Sequence, residues 1–63
     1  MKKQYIIKNL VDNTYYNTSY CEFFKSIEEA SLFDSEESAE NIIDEIYVNY
    51  SAFLTIFKVY KNV

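Results

Sequence analysis

The 63-residue chain contains no histidine, no glycine and no arginine, and a single cysteine. Each absence removes a class of chemistry. Without histidine, Ser-His-Asp and Cys-His arrangements cannot be built, and the commonest acid–base residue near neutral pH is missing. A carboxylate pair of the glycosidase kind needs a cleft that shifts one carboxyl pKa, and a chain this short supplies too little wall for one. Zero glycine removes the phosphate loops of the dinucleotide and Walker types, whose backbone must approach a phosphate closely. The lack of arginine and the formal charge of −4 leave no basic footprint for direct contact with nucleic acid. One cysteine and no histidine make an incomplete zinc ligand set, and Cys21 has no partner for an internal disulfide. No catalytic residue, cofactor or metal is therefore expected, and the chain does not read as an enzyme.

Long apolar runs are absent too. The stretch Ser51 to Phe57 falls far short of the roughly 20 residues of a membrane span. The apolar run after Met1-Lys2-Lys3 ends at Lys8, unlike a signal peptide. A soluble, cytoplasmic protein without membrane contact is expected, and one unpaired cysteine agrees with a reducing compartment.

What is present points to one small domain spanning residues 1–63. At this length folding buries only about 60% of the surface that the unfolded chain exposes. Seven tyrosines and five phenylalanines compensate, because each ring buries a large area. Tyr5-Ile6-Ile7-Lys8 and Thr14-Tyr15-Tyr16-Asn17-Thr18 are β-branched and aromatic, and with Asp12-Asn13 between them they predict a hairpin. One of those two turn residues must supply any positive φ. Tyr20, Phe23 and Phe24 anchor a strand end or a loop on the core. Ser26 and Glu29 have capping-box spacing, which suggests a short helical turn.

The clearest element follows. Asp34 and Glu37 mark a helix start, and Ala39, Ile42, Ile43, Ile46 and Tyr47 recur at the spacing of one apolar helix face. The helix is expected over about Ser35 to Val48, with Asn49 as terminator. The segment Ala52 to Tyr60 is the strongest strand signal. Phe53, Thr55, Phe57 and Val59 take one face and Leu54, Ile56, Lys58 and Tyr60 the other, and two apolar faces predict a central strand. The fold class is α+β: a small antiparallel sheet of three to four strands with one amphipathic helix on one face, in the order ββ(β)αβ.

Charge is distributed unevenly. Residues 22–45 hold nine acids against the single Lys25, a net of −8, while both flanking segments are positive. On the helix, Glu36, Glu40 and Asp44 stand four residues apart, flanked by Glu37 and Glu45. Such like-charge pairs destabilise a helix by a few tenths of a kcal/mol each. The helix dipole accounts for the first-turn acids, but Asp44 and Glu45 stand near the end that prefers cations. The stripe is either a solvated face or a binding face for a basic partner, drawn in by long-range steering. Tyr5, Tyr15, Tyr16, Tyr47, Tyr50 and Tyr60 fit strand and helix packing. Twelve rings exceed what so small a domain buries, so some stay exposed as anchors for a homodimer through a sheet face or edge. Cys21 reads as a small buried apolar residue.

The run Lys3-Gln4-Tyr5-Ile6-Ile7-Lys8-Asn9, the Tyr15-Tyr16-Asn17 triplet, the segment from Ser26 through Phe33 to Glu40 and the closing Lys58-Val59-Tyr60 form one pattern. It resembles the small ββαβ-type proteins of phages and prophages of low-GC Gram-positive bacteria, over nearly the whole chain. The chain departs from that pattern in lacking hairpin glycines. The resemblance implies a non-enzymatic inhibitor of a host enzyme, a class in which anti-CRISPR proteins and other DNA mimics are often small and acidic. The partner implied is a basic, nucleic-acid-binding host protein such as a CRISPR effector nuclease. Glu36, Glu37, Glu40, Asp44 and Glu45 are the expected contact residues. The other readings are a self-associating assembly protein and an antitoxin-like neutraliser of a basic partner.

Overall fold

The computed structural model describes residues 2–46 and 53–61. The elements run β1 (Lys2–Asn9), β2 (Thr14–Asn17), β3 (Glu22–Phe24), a single 3₁₀ turn (Ile27–Glu29), α1 (Glu36–Ile46) and β4 (Leu54–Lys61). The four strands form one antiparallel sheet of order β3-β2-β1-β4, with α1 against β1 and β4. This is the expected α+β architecture, with the optional third strand present.

β1 is the strand on which the sheet is built. Gln4, Tyr5, Ile6 and Ile7 are all buried, and side chains alternate between faces, so β1 carries core residues on both sides. Tyr5 and Ile7 face the helix layer, where they join Tyr16 and Ala39, and Ile42, Ile43 and Ile46 of α1 pack against them. Ile6 is buried just as deeply on the opposite face. The C-terminal strand, expected to be central, is instead an edge: among the described residues β4 pairs only with β1. Its two apolar faces are unequal. Leu54 and Ile56 pack on the core, whereas Phe57 on the other face is exposed. Apolar residues on both faces of a strand report what packs above and below it, not whether another strand pairs along each edge, so they do not make β4 central.

The sheet is split between β1 and β2. Their register covers Lys8↔Tyr15 and Asn9↔Thr14, after which β2 leaves and the segment before α1 enters. Phe33 exchanges two backbone hydrogen bonds of 2.8 Å with Tyr5, and Ser31 N–H donates to the Tyr16 carbonyl at 3.0 Å. Asn17 Nδ2 donates to the Glu29 carbonyl at 2.7 Å, and Thr18 N–H to Ser31 Oγ at 2.8 Å. These bonds satisfy backbone groups that the divergence would otherwise leave unpaired.

The helix cap falls one residue later than the Asp34 start that the spacing suggests. Ser35 Oγ accepts from Ser38 N–H at 3.1 Å, an N-cap bond. Asp34 instead accepts from Gln4 Nε2 at 3.4 Å and lies 3.5 Å from Lys2 Nζ, tying the helix entry to β1. Ser26 caps the 3₁₀ turn by accepting from Glu28 N–H at 3.2 Å. Tyr47, Val48 and Asn49, expected at the helix end, and Tyr50 and Ala52 lie outside the described residues.

Both hairpin turns are made without glycine, and by one device. Asn9 ends β1, its Oδ1 accepts from Val11 N–H at 2.9 Å and Asp12 N–H at 3.3 Å, and Asn13, four residues on, adopts φ 61°. Asn17 ends β2, its Oδ1 accepts from Ser19 N–H at 2.9 Å and Tyr20 N–H at 3.2 Å, and Cys21, four residues on, adopts φ 53°. Asn13 meets the expectation for the first turn. Cys21 does not meet its own: it is exposed rather than buried, because it fills the left-handed position of a surface turn. Its thiol donates to the Thr18 carbonyl at 3.6 Å. Asparagine tolerates that conformation better than cysteine, because its short polar side chain can hydrogen-bond the local backbone. Replacing Cys21 by glycine is therefore expected to stabilise the fold by roughly 0.5–1 kcal/mol, read as a higher urea midpoint at unchanged slope.

Candidate functional site

Two surfaces stand out, one on each side of the sheet. The first is α1. At 100° per residue, Ala39, Ile42, Ile43 and Ile46 occupy one arc, and Glu36, Glu37, Glu40, Asp44 and Glu45 spread over about half the circumference opposite it. The sequence periodicity is realised in the packing, since Ala39 is fully buried and the three isoleucines cover the sheet. All five acids are exposed. Among the described side chains the one ion pair is Lys2–Asp34, and none of the five has a cation within ion-pair distance. The last turn of the described helix has no basic residue. The structure thus brings the five predicted residues together on one solvent face, spanning about 14 Å of helix axis at 1.5 Å per residue.

Burial pushes the Tyr16 hydroxyl above its usual value of 10.0, and the neighbouring Cys21 thiol and the Glu45 carboxylate add to the shift. The Tyr16 ring is fixed by Phe23, 5.1 Å between centroids. A folded-state pKa above the unfolded one favours the protonated form in the fold. Its stabilisation is complete below pH 10 and lost as the pH rises through the folded value.

The second surface is the sheet face turned away from α1, which periodicity did not single out. Phe57 on β4, Ile27 in the 3₁₀ turn and Leu32 beyond it are 41%, 53% and 41% exposed. Phe24 and Tyr15 are half-buried on the same face by strand parity. An open groove of about 350 Å³ runs over Ile6 between the 3₁₀ turn and β4, lined by Ile27, Ala30, Leu32, Val59 and Tyr60 with Glu28 at its side. Lys8 Nζ lies 5.4 Å from the Tyr15 ring centre and 5.5 Å from that of Phe57, a cation held over two aromatic faces. Of the tyrosines expected to pack, Tyr5 and Tyr16 are buried and Tyr15 is half-buried, while Tyr60 is largely exposed. Of the ring trio expected to anchor, Phe23 packs on the core and Tyr20 is exposed, edge-on to Phe24 at 5.7 Å. The signal that could have found this face was Ile27 with Leu32, two apolar residues in a segment too short to bury them.

Among the described residues, no three Asp, Glu, Cys or His side chains converge as metal ligands, and no helix is long and apolar enough to cross a membrane. No protein-family model, curated protein or solved structure matches the chain.

Two outcomes follow from the helix electrostatics. Replacing Asp44 and Glu45 by lysine removes like-charge neighbours and places cations towards the helix C-terminus. Each substitution is expected to stabilise the fold by roughly 0.3–1 kcal/mol at low salt, read from urea unfolding. Stability is expected to fall as the pH rises past about 10, and a Tyr16→Phe variant, having no hydroxyl to ionise, to show a shallower fall in the same titration.

Proposed function

We propose that this chain is a non-catalytic inhibitor that binds a basic, nucleic-acid-handling protein through the exposed acids of α1, the carboxylates occupying positions that phosphates would otherwise take. The observation that carries the reading is five exposed carboxylates, without described counter-ions, on a helix whose other side packs on the sheet. Five charges over about 14 Å is one per ~3 Å, close to the ~3.4 Å per charge along a single strand of DNA. A basic groove that holds a guide–target duplex by its backbone reads charge and shape rather than sequence, so a rigid acidic rod can compete for it. Local stability offers no reason for Asp44 and Glu45 to be acidic.

In this reading the protein is of the kind it resembles in sequence pattern, the small acidic inhibitors of phages and prophages, and its target is a host defence nuclease such as a CRISPR effector. Glu36, Glu37, Glu40, Asp44 and Glu45 make the contacts. Recognition through exposed charge is salt-dependent, because the Debye length is only ~8 Å at physiological ionic strength.

The test is a pull-down from a Gram-positive host lysate at low and moderate salt, followed by target-cleavage assays with the nuclease captured. The wild-type chain is expected to capture a basic nuclease at low salt, to lose it as salt rises, and to block cleavage. A folded Glu40→Lys/Asp44→Lys variant is expected to lose at least tenfold in affinity per substitution. Inhibition by that variant equal to wild type, with an unchanged circular dichroism spectrum, contradicts the reading.

A further inference from the structure

We propose that the sheet face opposite α1 is an interface for a second copy of this chain, giving a helix–sheet–sheet–helix dimer. The inference is independent of the reading of α1, because it uses the other side of the molecule.

The first argument is area. Ile27, Leu32 and Phe57 are between 41% and 53% exposed, and at ~200 Å² for a large apolar side chain they present about 270 Å². With the half-buried Tyr15, Phe24 and Val59 on the same face it reaches the ~300–600 Å² of the largest apolar patch on a typical monomer, a patch that is often functional. It is smaller than the ~800 Å² per partner of a standard stable interface, so the dimer is expected to be weak and concentration-dependent. One sheet stacked on another is also the usual way to bury such a face, and the chain's one described α-helix is committed to the other side.

The second argument is charge. Approach through α1 would bring two stripes of carboxylates together. Approach through the open face places them outermost, because stacked sheets lie about 10 Å apart and each helix about 10 Å beyond its sheet. The two stripes then stand ~30 Å apart, several Debye lengths, and their repulsion is screened. The open face is itself mixed in sign: Lys8 lies over the Tyr15 and Phe57 rings, and Glu28 borders the groove. A two-fold axis through this face sets each copy's cation towards the other's acid, the self-complementarity that an isologous interface requires. An acidic or a basic protein partner would satisfy one sign and leave the other unmatched. The dimer would present two acidic helices on opposite sides, and so could hold two basic partner molecules at once.

Sedimentation equilibrium of the full chain from micromolar to millimolar concentration tests this. The mass is expected to rise from 7.5 kDa towards twice that value as concentration increases, with little dependence on salt. Ile27→Lys and Phe57→Lys are each expected to raise the dimer dissociation constant at least tenfold while the circular dichroism spectrum stays unchanged. Having two such variants guards against one of them unfolding. Glu40→Lys, on the far side, is expected to leave it unaltered. A monomer at millimolar concentration overturns the proposal. So does a dimer that both open-face substitutions leave intact, which would place the contact at the β4 edge or on α1. Neither result bears on partner binding by the helix, whose failure would show in the salt-dependent pull-down alone.

Discussion

One eleven-residue helix can cover one face of a four-stranded sheet, and the rest of the structure follows from that constraint. It decides where each apolar residue ends up. β1, in the middle of the sheet, is buried on both sides, with Ile7 under α1 and Ile6 beneath the segment that leads from β3 to the helix. β4 receives the same kind of sequence and a different environment. Leu54 and Ile56 on its helix side complete the core, and Phe57 on its far side stays exposed. The outcome is an asymmetric slab with an acidic helix on one surface and aromatic and aliphatic side chains on the other.

A chain without glycine has to make its turns and its sheet split by other means. Asparagine side chains do this at both hairpins, each accepting two backbone N–H groups and so replacing the bonds a tighter turn would make. The third strand is only three residues long, and β2 leaves β1 after two register pairs. The backbone of residues 31–33 then takes up the bonds that β2 gives up, which fixes the position of α1 over β1. Hydrogen bonding rather than bulk packing sets the helix entry, through Ser35, Asp34 and Gln4.

The fold was largely legible in the sequence because its strongest signals are periodic. The helix face of Ala39, Ile42, Ile43 and Ile46 and the hairpin of β1 and β2 depend on spacing alone, and spacing survives into three dimensions. The acids of α1 were legible for the same reason: opposite the apolar arc of a helix there is only solvent. What sequence could not reveal is the order of the strands in the sheet, since apolar residues on both faces of a strand do not say whether a neighbour pairs along each of its edges. Residues 53–60 therefore read as a central strand although β4 is an edge. Cys21 misled in another way. Residue type predicts burial on average, but its position was dictated by the turn that Asn17 begins, and a left-handed position at the surface overrides the preference of a small apolar side chain.

The division of labour between the two sides of α1 is the central claim: the isoleucines hold the fold together, and the acids, which work against it, are proposed to serve binding. Exposed carboxylates without counter-ions among the described residues repel one another, and added salt screens that repulsion. The most direct measurement is the urea midpoint of the wild-type chain at about 10 mM and about 150 mM sodium chloride. The account predicts a higher midpoint at the higher salt, at unchanged slope. A lower midpoint would mean that the acids are held in stabilising ion pairs, and that the acidic stripe belongs to the fold rather than to a partner.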